Sequence, residues 1–205
     1  MALTSSSVCR GHTKPMLILL PPSEKKLPTP VGAPAMKVYA GVLYEALDYK
    51  SLSTAAKKKA EKSLVIISAK YGAIGPTEKI KSYKAKIDNS KMKAKVASVL
   101  DNREEELIVD CRSSTYQGVW SAPLNKCVEI RVFQNVNGEK RVITHMSKKT
   151  RGEIARLLLS SRSIPKTPRD VRDIVNKHYT CGLIRWDSFN PWILEVIAKE
   201  KEELS

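Results

Sequence analysis

Three short apolar runs, Leu17–Leu20, Leu64–Ile67 and Leu107–Val109, each give way at once to polar or turn-forming residues. A continuous apolar run without alternation fits a strand buried on both faces of a parallel sheet. Pro21-Pro22 stops the first run because proline cannot donate to a ladder. Between the first two runs, Met36, Tyr39, Ala40, Leu43, Tyr44 and Leu47 recur at helical spacing and predict one helix over Met36–Leu47. Ser51–Lys62, rich in Ala and Lys, predicts a second. Val128–Phe133 and Lys140–His145 flank Asn137-Gly138, a strong hairpin signal. Ser147–Ser161 predicts a helix burying Ile154, Leu157, Leu158 and Leu159. Thr167-Pro168-Arg169-Asp170 supplies an N-cap, a first-turn proline and a first-turn acid for a helix reaching about Lys177. Residues 192–197 suit helix or strand equally, and the proline-rich stretch 27–34 reads as a surface loop. The pattern predicts a single compact α/β domain over 16–198, with a mixed central sheet flanked by helices. Residues 1–15 read as a disordered leader, with Met16 an alternative start, and residues 199–205 as a charged tail.

Charge narrows the partners. The 205 residues carry 36 Lys plus Arg against 21 Asp plus Glu, a formal +15, which points to an anionic partner. No apolar stretch approaches the ~20 residues needed to span a bilayer, so no membrane role is expected. Cys9, Cys111, Cys127 and Cys181 are isolated and His12, His145 and His178 are scattered, so spacing predicts no metal site and a reducing cytoplasmic location. Without a GxGxxG, Walker loop or Ser-His-Asp order, the sequence assigns no cofactor and no catalytic residue. His145 reads as a structural strand histidine, Trp120, Trp186 and Trp192 as core filling, and Cys111 as packing rather than a peroxide-sensing thiolate beside Arg112.

Four segments carry more chemistry than packing needs: Pro22-Ser23-Glu24-Lys25-Lys26, Ser68–Pro76 with Tyr83-Lys84, Asp110–Tyr116, and Thr144–Gly152 with Arg156. In α/β sheets the carboxyl ends of parallel strands gather binding groups. Ser23, Lys25 or Lys26, Arg112, Ser113 and Tyr116 are therefore expected around one concavity with Lys148 and Arg151, the arginines offering planar donor forks to a phosphate. Asp110 reads as an acid that orients Arg112 or Lys25, as a base, or as a helix N-cap. In a phosphate seat, Asp110→Asn should preserve or strengthen binding; in an enzyme it should abolish turnover. Gly72 fits a close backbone approach beside Lys70 and Tyr71.

Together these segments resemble the YaaA family of peroxide stress proteins. The resemblance runs from the first strand nearly to the C-terminus and rests on Leu17–Lys26, on Tyr71-Gly72 through Tyr83-Lys84, and on Lys148-Lys149-Thr150-Arg151-Gly152 with Arg156. Lys84 stands where many members carry Arg, and the chain is shorter than many of them. The resemblance implies a cytoplasmic α/β protein that binds DNA and limits peroxide damage by keeping unincorporated iron low. DNA binding has an independent basis in charge. Glu78–Lys95 holds seven Lys, Lys79, Lys81, Lys84 and Lys86 among them, against Glu78 and Asp88. Lys140–Arg156 holds six Lys or Arg against Glu153. Lys148 and Lys149 read as cations at a helix start, a placement that suggests a bound anion. Tyr71–Ile80 also resembles a helix-hairpin-helix turn, and duplex or branched DNA is the expected partner. The alternative is an enzyme acting on a nucleotide or other phosphorylated small molecule; a third reading is a basic adaptor for a protein or RNA.

Overall fold

The computed structural model describes residues 16–198; residues 1–15 and 199–205, read above as leader and tail, lie outside them. In chain order the strands are β1 (Leu17–Leu20), β2 (Ala33–Pro34), β3 (Leu64–Ser68), β4 (Gly72–Ile74), β5 (Lys79–Ile80), β6 (Ile108–Asp110), β7 (Cys127–Val136), β8 (Glu139–Arg141), β9 (Cys181–Ile184) and β10 (Trp192–Ile197). The helices are α1 (Ala35–Val38), α2 (Val42–Leu47), α3 (Thr54–Ser63), α4 (Asn89–Leu100), α5 (Ser114–Gln117), α6 (Thr144–Ser160) and α7 (Pro168–Val175).

The three apolar runs become neighbours because each must bury both faces. Eight strands form one sheet in the order β4-β3-β1-β6-β7-β10-β9, with β8 paired to the end of β7, while β2 and β5 form a separate ribbon. Strands β3, β1, β6, β7 and β10 are parallel, and β4 and β9 close the edges antiparallel. Numbered among themselves, the parallel strands lie in the order 2-1-3-4-5, a doubly wound arrangement whose switch point falls between β1 and β6. Alternate residues serve opposite cores. Ile18, Leu20, Leu64, Ile66, Val109 and Ile130 pack with residues of α1, α2, α3, α6 and α7. Leu17, Leu19, Val65, Ile67 and Ile108 pack with Val96, Leu100, Val119 and Trp120. The sheet is thus an α/β/α layer, and its carboxyl edge is where both sets of loops meet.

Several local expectations are corrected. The helix predicted over Met36–Leu47 breaks into α1 and α2: Tyr39 is extended (ψ 128°) and bridges to Lys26, and Gly41 takes φ +102°, where a Cβ would sit 3.0 Å from Ser23 Oγ. The strand predicted to reach His145 ends at Arg141, and exposed His145 lies on α6. Because α6 starts at Thr144, Lys148 and Lys149 sit beyond its first turn, so the helix-start argument for an anion no longer applies. The turn after β4 is flanked by strands rather than helices, so it is not a helix-hairpin-helix. Residues 192–197 resolve as strand β10, held between β7 and β9. Trp120 is core, Trp192 is half-buried, and Trp186 is exposed instead of filling a core. The Thr167 cap forms a full capping box with Asp170.

Candidate functional site

Beyond β1 the chain folds back over α1. Leu27 N donates to Val38 O (2.8 Å), Ala40 N donates to Lys25 O (3.0 Å), and Ser23 Oγ donates to the Ala40 carbonyl. This return places Lys26 among tyrosines. Its Nζ donates to Ser23 O (2.5 Å) and stands 4.1 Å from the Tyr83 ring and 5.6 Å from that of Tyr39. The hydroxyls of Tyr39 and Tyr83 lie 3.0 Å apart, and Tyr83 Oη lies 2.7 Å from Ser68 Oγ at the end of β3. Ser68 Oγ in turn accepts from the backbone of Lys70 and Tyr71, shaping the β3–β4 turn. Tyr44 stacks on Tyr39 (5.3 Å) and donates to Pro21 O (2.7 Å), and Tyr71 meets Tyr83 edge-on (5.5 Å). Burial raises the hydroxyl pKa values of Tyr39, Tyr44 and Tyr116, so these groups stay protonated. Burial lowers that of Lys26, with Glu24 opposing the shift.

At the carboxyl end of β6, and level with it on β7, the polar groups include arginines. Arg112 is 1% exposed and fully engaged: Nε and Nη2 donate to the two Asp110 oxygens (2.9 and 2.8 Å), Nη1 to Tyr116 O (3.0 Å) and Nη2 to Trp120 O (2.9 Å). The expectation that Arg112 offers a free fork to a phosphate is therefore corrected: its donors tie the strand end to α5 and the turn after it. Asp110 orients Arg112, not Lys25, and lines a cavity of about 130 Å³ with Trp120, Cys127 and Glu129. Arg151 lies on the other face, partly buried, with Nε donating to Ile130 O (3.3 Å).

Cys111 points away from Arg112 into the core, and the charges that reach it are those of Arg151 and, in the opposite sense, Asp110. Burial nevertheless dominates, and the thiol pKa is pushed up to about 12; burial likewise raises Cys127 and Cys181. These thiols are not thiolates at neutral pH. The raised value also carries a sign for stability. The folded chain holds the Cys111 proton up to about pH 12, whereas the unfolded thiol releases it near its ordinary value of 9.0. Stability should therefore be level below that value and fall as pH rises through this window. Urea midpoints measured from neutral to alkaline pH check this. Cys111→Ala should flatten the fall, and a midpoint that rises above pH 9 would refute it.

The remaining predicted residues divide. Lys25 is exposed near Glu45 (3.9 Å). Lys70, Lys79, Lys81, Lys84, Lys148 and Lys149 are exposed, with Lys149 3.9 Å from Glu153. Arg156 is occupied at the end of α2, donating to Leu47 O, Asp48 O and Ser51 Oγ, which leaves it little to offer a phosphate. Ser113 precedes α5 without capping it. Gly72 takes φ +81°, and a Cβ there would meet Lys95 Cγ at 2.9 Å, which accounts for the glycine by backbone and packing. Tyr39 and Tyr44, part of the same cluster, read in the sequence only as helix-face residues, and Ser68 only as the start of the turn segment Ser68–Pro76. The one available signal was two tyrosines on an otherwise aliphatic face. Among the described residues no three His, Cys, Asp or Glu side chains gather as a metal-binding group, and no helix is long and apolar enough to cross a membrane.

These features define a doubly wound α/β protein whose carboxyl edge gathers tyrosine hydroxyls, a lysine and arginines at the switch point. Residues 23–182 match the family model described as peroxide stress protein YaaA. The chain is 31% identical over 188 residues to a UPF0246 protein of Streptomyces coelicolor, covering 85% of this chain and 72% of that protein. It is 32% identical over 165 residues to one from Corynebacterium glutamicum, covering 74% of this chain and 65% of the relative. The chain belongs to the YaaA family of peroxide stress proteins. It spans roughly two thirds to three quarters of these relatives' length.

Proposed function

We propose that the chain is a cytoplasmic DNA-binding protein of the peroxide stress response that seats duplex or branched DNA on its lysine-rich sheet edge. In line with the family, it would also help keep unincorporated iron low. The observation that carries the DNA reading is charge without counter-charge. Lys70, Lys79, Lys81, Lys84, Lys86, Lys93 and Lys95 are exposed, and none has an ion-pair partner among the described residues; Lys91 alone in this stretch pairs, with Asp88 (3.3 Å). The Lys95 stem lies over Gly72, which ties α4 to β4 and holds the helix lysines beside those of the β3–β4 turn. A rigid run of uncompensated cations releases counterions when it meets phosphates, and each phosphate neutralised contributes about −0.9 to the salt slope.

The triple variant Lys81→Gln, Lys84→Gln, Lys93→Gln is expected to fold normally, to lose more than about tenfold in duplex affinity, and to flatten the salt slope by about 2–3. Fluorescence anisotropy across a salt series measures both. An unchanged affinity and slope would remove this edge as the DNA surface.

A further inference from the structure

The charges at the carboxyl end of β6, and level with it on β7, do not balance. Arg112 and Arg131 on one face of the sheet and Arg151 on the other stand against two carboxylates, and both carboxylates are taken. Asp110 is held by Arg112 at 2.8 Å and Glu129 by Arg131 at 3.0 Å. Arg151 donates only through Nε, to Ile130 O, and its two terminal nitrogens have no partner among the described residues. Neither nitrogen is sealed from the crevice, since the buried unpaired atoms of the described chain are Ser63 Oγ and Glu105 Oε2. Desolvation is the main influence on this guanidinium; Cys111, Asp110 and Glu129 oppose it, but the thiol stays protonated and both carboxylates are paired with other arginines. A partly desolvated cation without a partner is costly unless an anion arrives from outside.

Its position is fixed rather than incidental. The next residue, Gly152, abuts the Leu43 carbonyl, and Leu43 is followed by Tyr44, whose hydroxyl bonds Pro21 at the end of β1. The Arg151 charge reaches Cys111, which follows β6 and whose backbone N donates to Leu19 O of β1, so Arg151 stands near the β1–β6 switch point, where open α/β sheets bind ligands. From Tyr44 the cluster continues through Tyr39 to Tyr83, Ser68 and Lys26.

We propose that this crevice binds a small metabolite bearing a phosphate or carboxylate, its oxyanion anchored by the free fork of Arg151 and the rest of the molecule meeting Tyr83 and Lys26. A planar fork with two free terminal nitrogens suits bidentate capture of an oxyanion. This site is separate from the lysine edge and does not depend on the DNA reading.

The test is calorimetry and thermal unfolding of the full chain with inorganic phosphate, adenosine 5′-monophosphate and pyruvate, which separate phosphate from carboxylate recognition. Wild type is expected to bind at least one of them saturably, below about 10 mM, with a matching rise in Tm. Arg151→Met is expected to unfold at or above the wild-type temperature without ligand, because it removes an uncompensated charge, and to lose the ligand response. Arg151→Lys keeps the charge but not the fork and should bind about tenfold more weakly or worse. It decides the matter if the methionine variant does not fold. Tyr83→Phe should weaken the nucleotide several-fold while sparing inorganic phosphate. The proposal is overturned if wild type binds none of the probes, or if both Arg151 variants bind like wild type. It is also overturned if duplex DNA affinity disappears with the phosphate response, because Arg151 would then belong to the DNA surface.

Discussion

Asp110→Asn is expected to destabilise the protein by about 3–5 kcal/mol, the usual cost of stranding one member of a buried ion pair. The side chains of Arg112 and Asp110 are 1% and 3% exposed. Asp110 accepts from Arg112 Nε, Nη2 and backbone N, so one carboxylate satisfies three donors. Asparagine has the same shape but only one acceptor oxygen, and its amide would turn a donor towards a guanidinium that only donates. The guanidinium would keep its charge and its bonds to Tyr116 O and Trp120 O, so it could not simply leave for water. Urea denaturation of wild type and variant measures the loss. Asp110→Asn combined with Arg112→Met should recover part of it, because no buried charge is then left unpaired. A single variant within about 1 kcal/mol of wild type would show that this pair is not a fold determinant. The sequence expectation that in a phosphate seat the same change would preserve or strengthen binding did not foresee this buried pair, whose loss acts on the fold first.

The contrast between Arg112 and Arg151 shows what a sequence can and cannot disclose. Both stand in charged motifs near strand ends, and both read as donor forks. Only the fold reveals that the carbonyls of Tyr116 and Trp120 curl back to saturate one of them while the other keeps its terminal nitrogens open. The strands β1, β3 and β6 were legible because burial on both faces demands an unbroken apolar run. Strand β10 was not, because a run such as Trp192–Ile197, with Glu195 inside it, suits either period. The break at Gly41 was hidden for a related reason. Apolar spacing continues across it, and the helix is interrupted by the return of the chain after β1, which bridges Lys26 to an extended Tyr39, and by the positive φ of Gly41. Tyr39 and Tyr44 looked like core because their rings are core; the hydroxyls that make them part of a site meet partners from β1, β3 and the loop after β5, which lie far away in sequence.

Gly152→Ala is the second change with a large expected effect. A Cβ at this position would lie 2.1 Å from the Leu43 carbonyl oxygen and 3.0 Å from Ala46 Cβ. The first of these is backbone inside α2, so no side-chain rotation relieves the clash, and α2 and α6 must separate. Alanine would otherwise favour a helix interior by about 1 kcal/mol over glycine. The overpacking must exceed that gain, and a net loss of about 3 kcal/mol is expected, at the upper end of such substitutions. Gly138→Ala is the control. Gly138 has φ +84°, but a methyl added there would meet nothing within 4 Å, so only the left-handed backbone penalty of about 1 kcal/mol should appear. Because α6 also carries Arg151, a displaced helix should move the fork away from the switch point. The small-molecule response should therefore weaken in Gly152→Ala and persist in Gly138→Ala. Denaturation midpoints of the two variants, measured side by side, decide the packing claim. If Gly152→Ala is as stable as wild type, the two helices are not in backbone contact and the glycine needs another explanation.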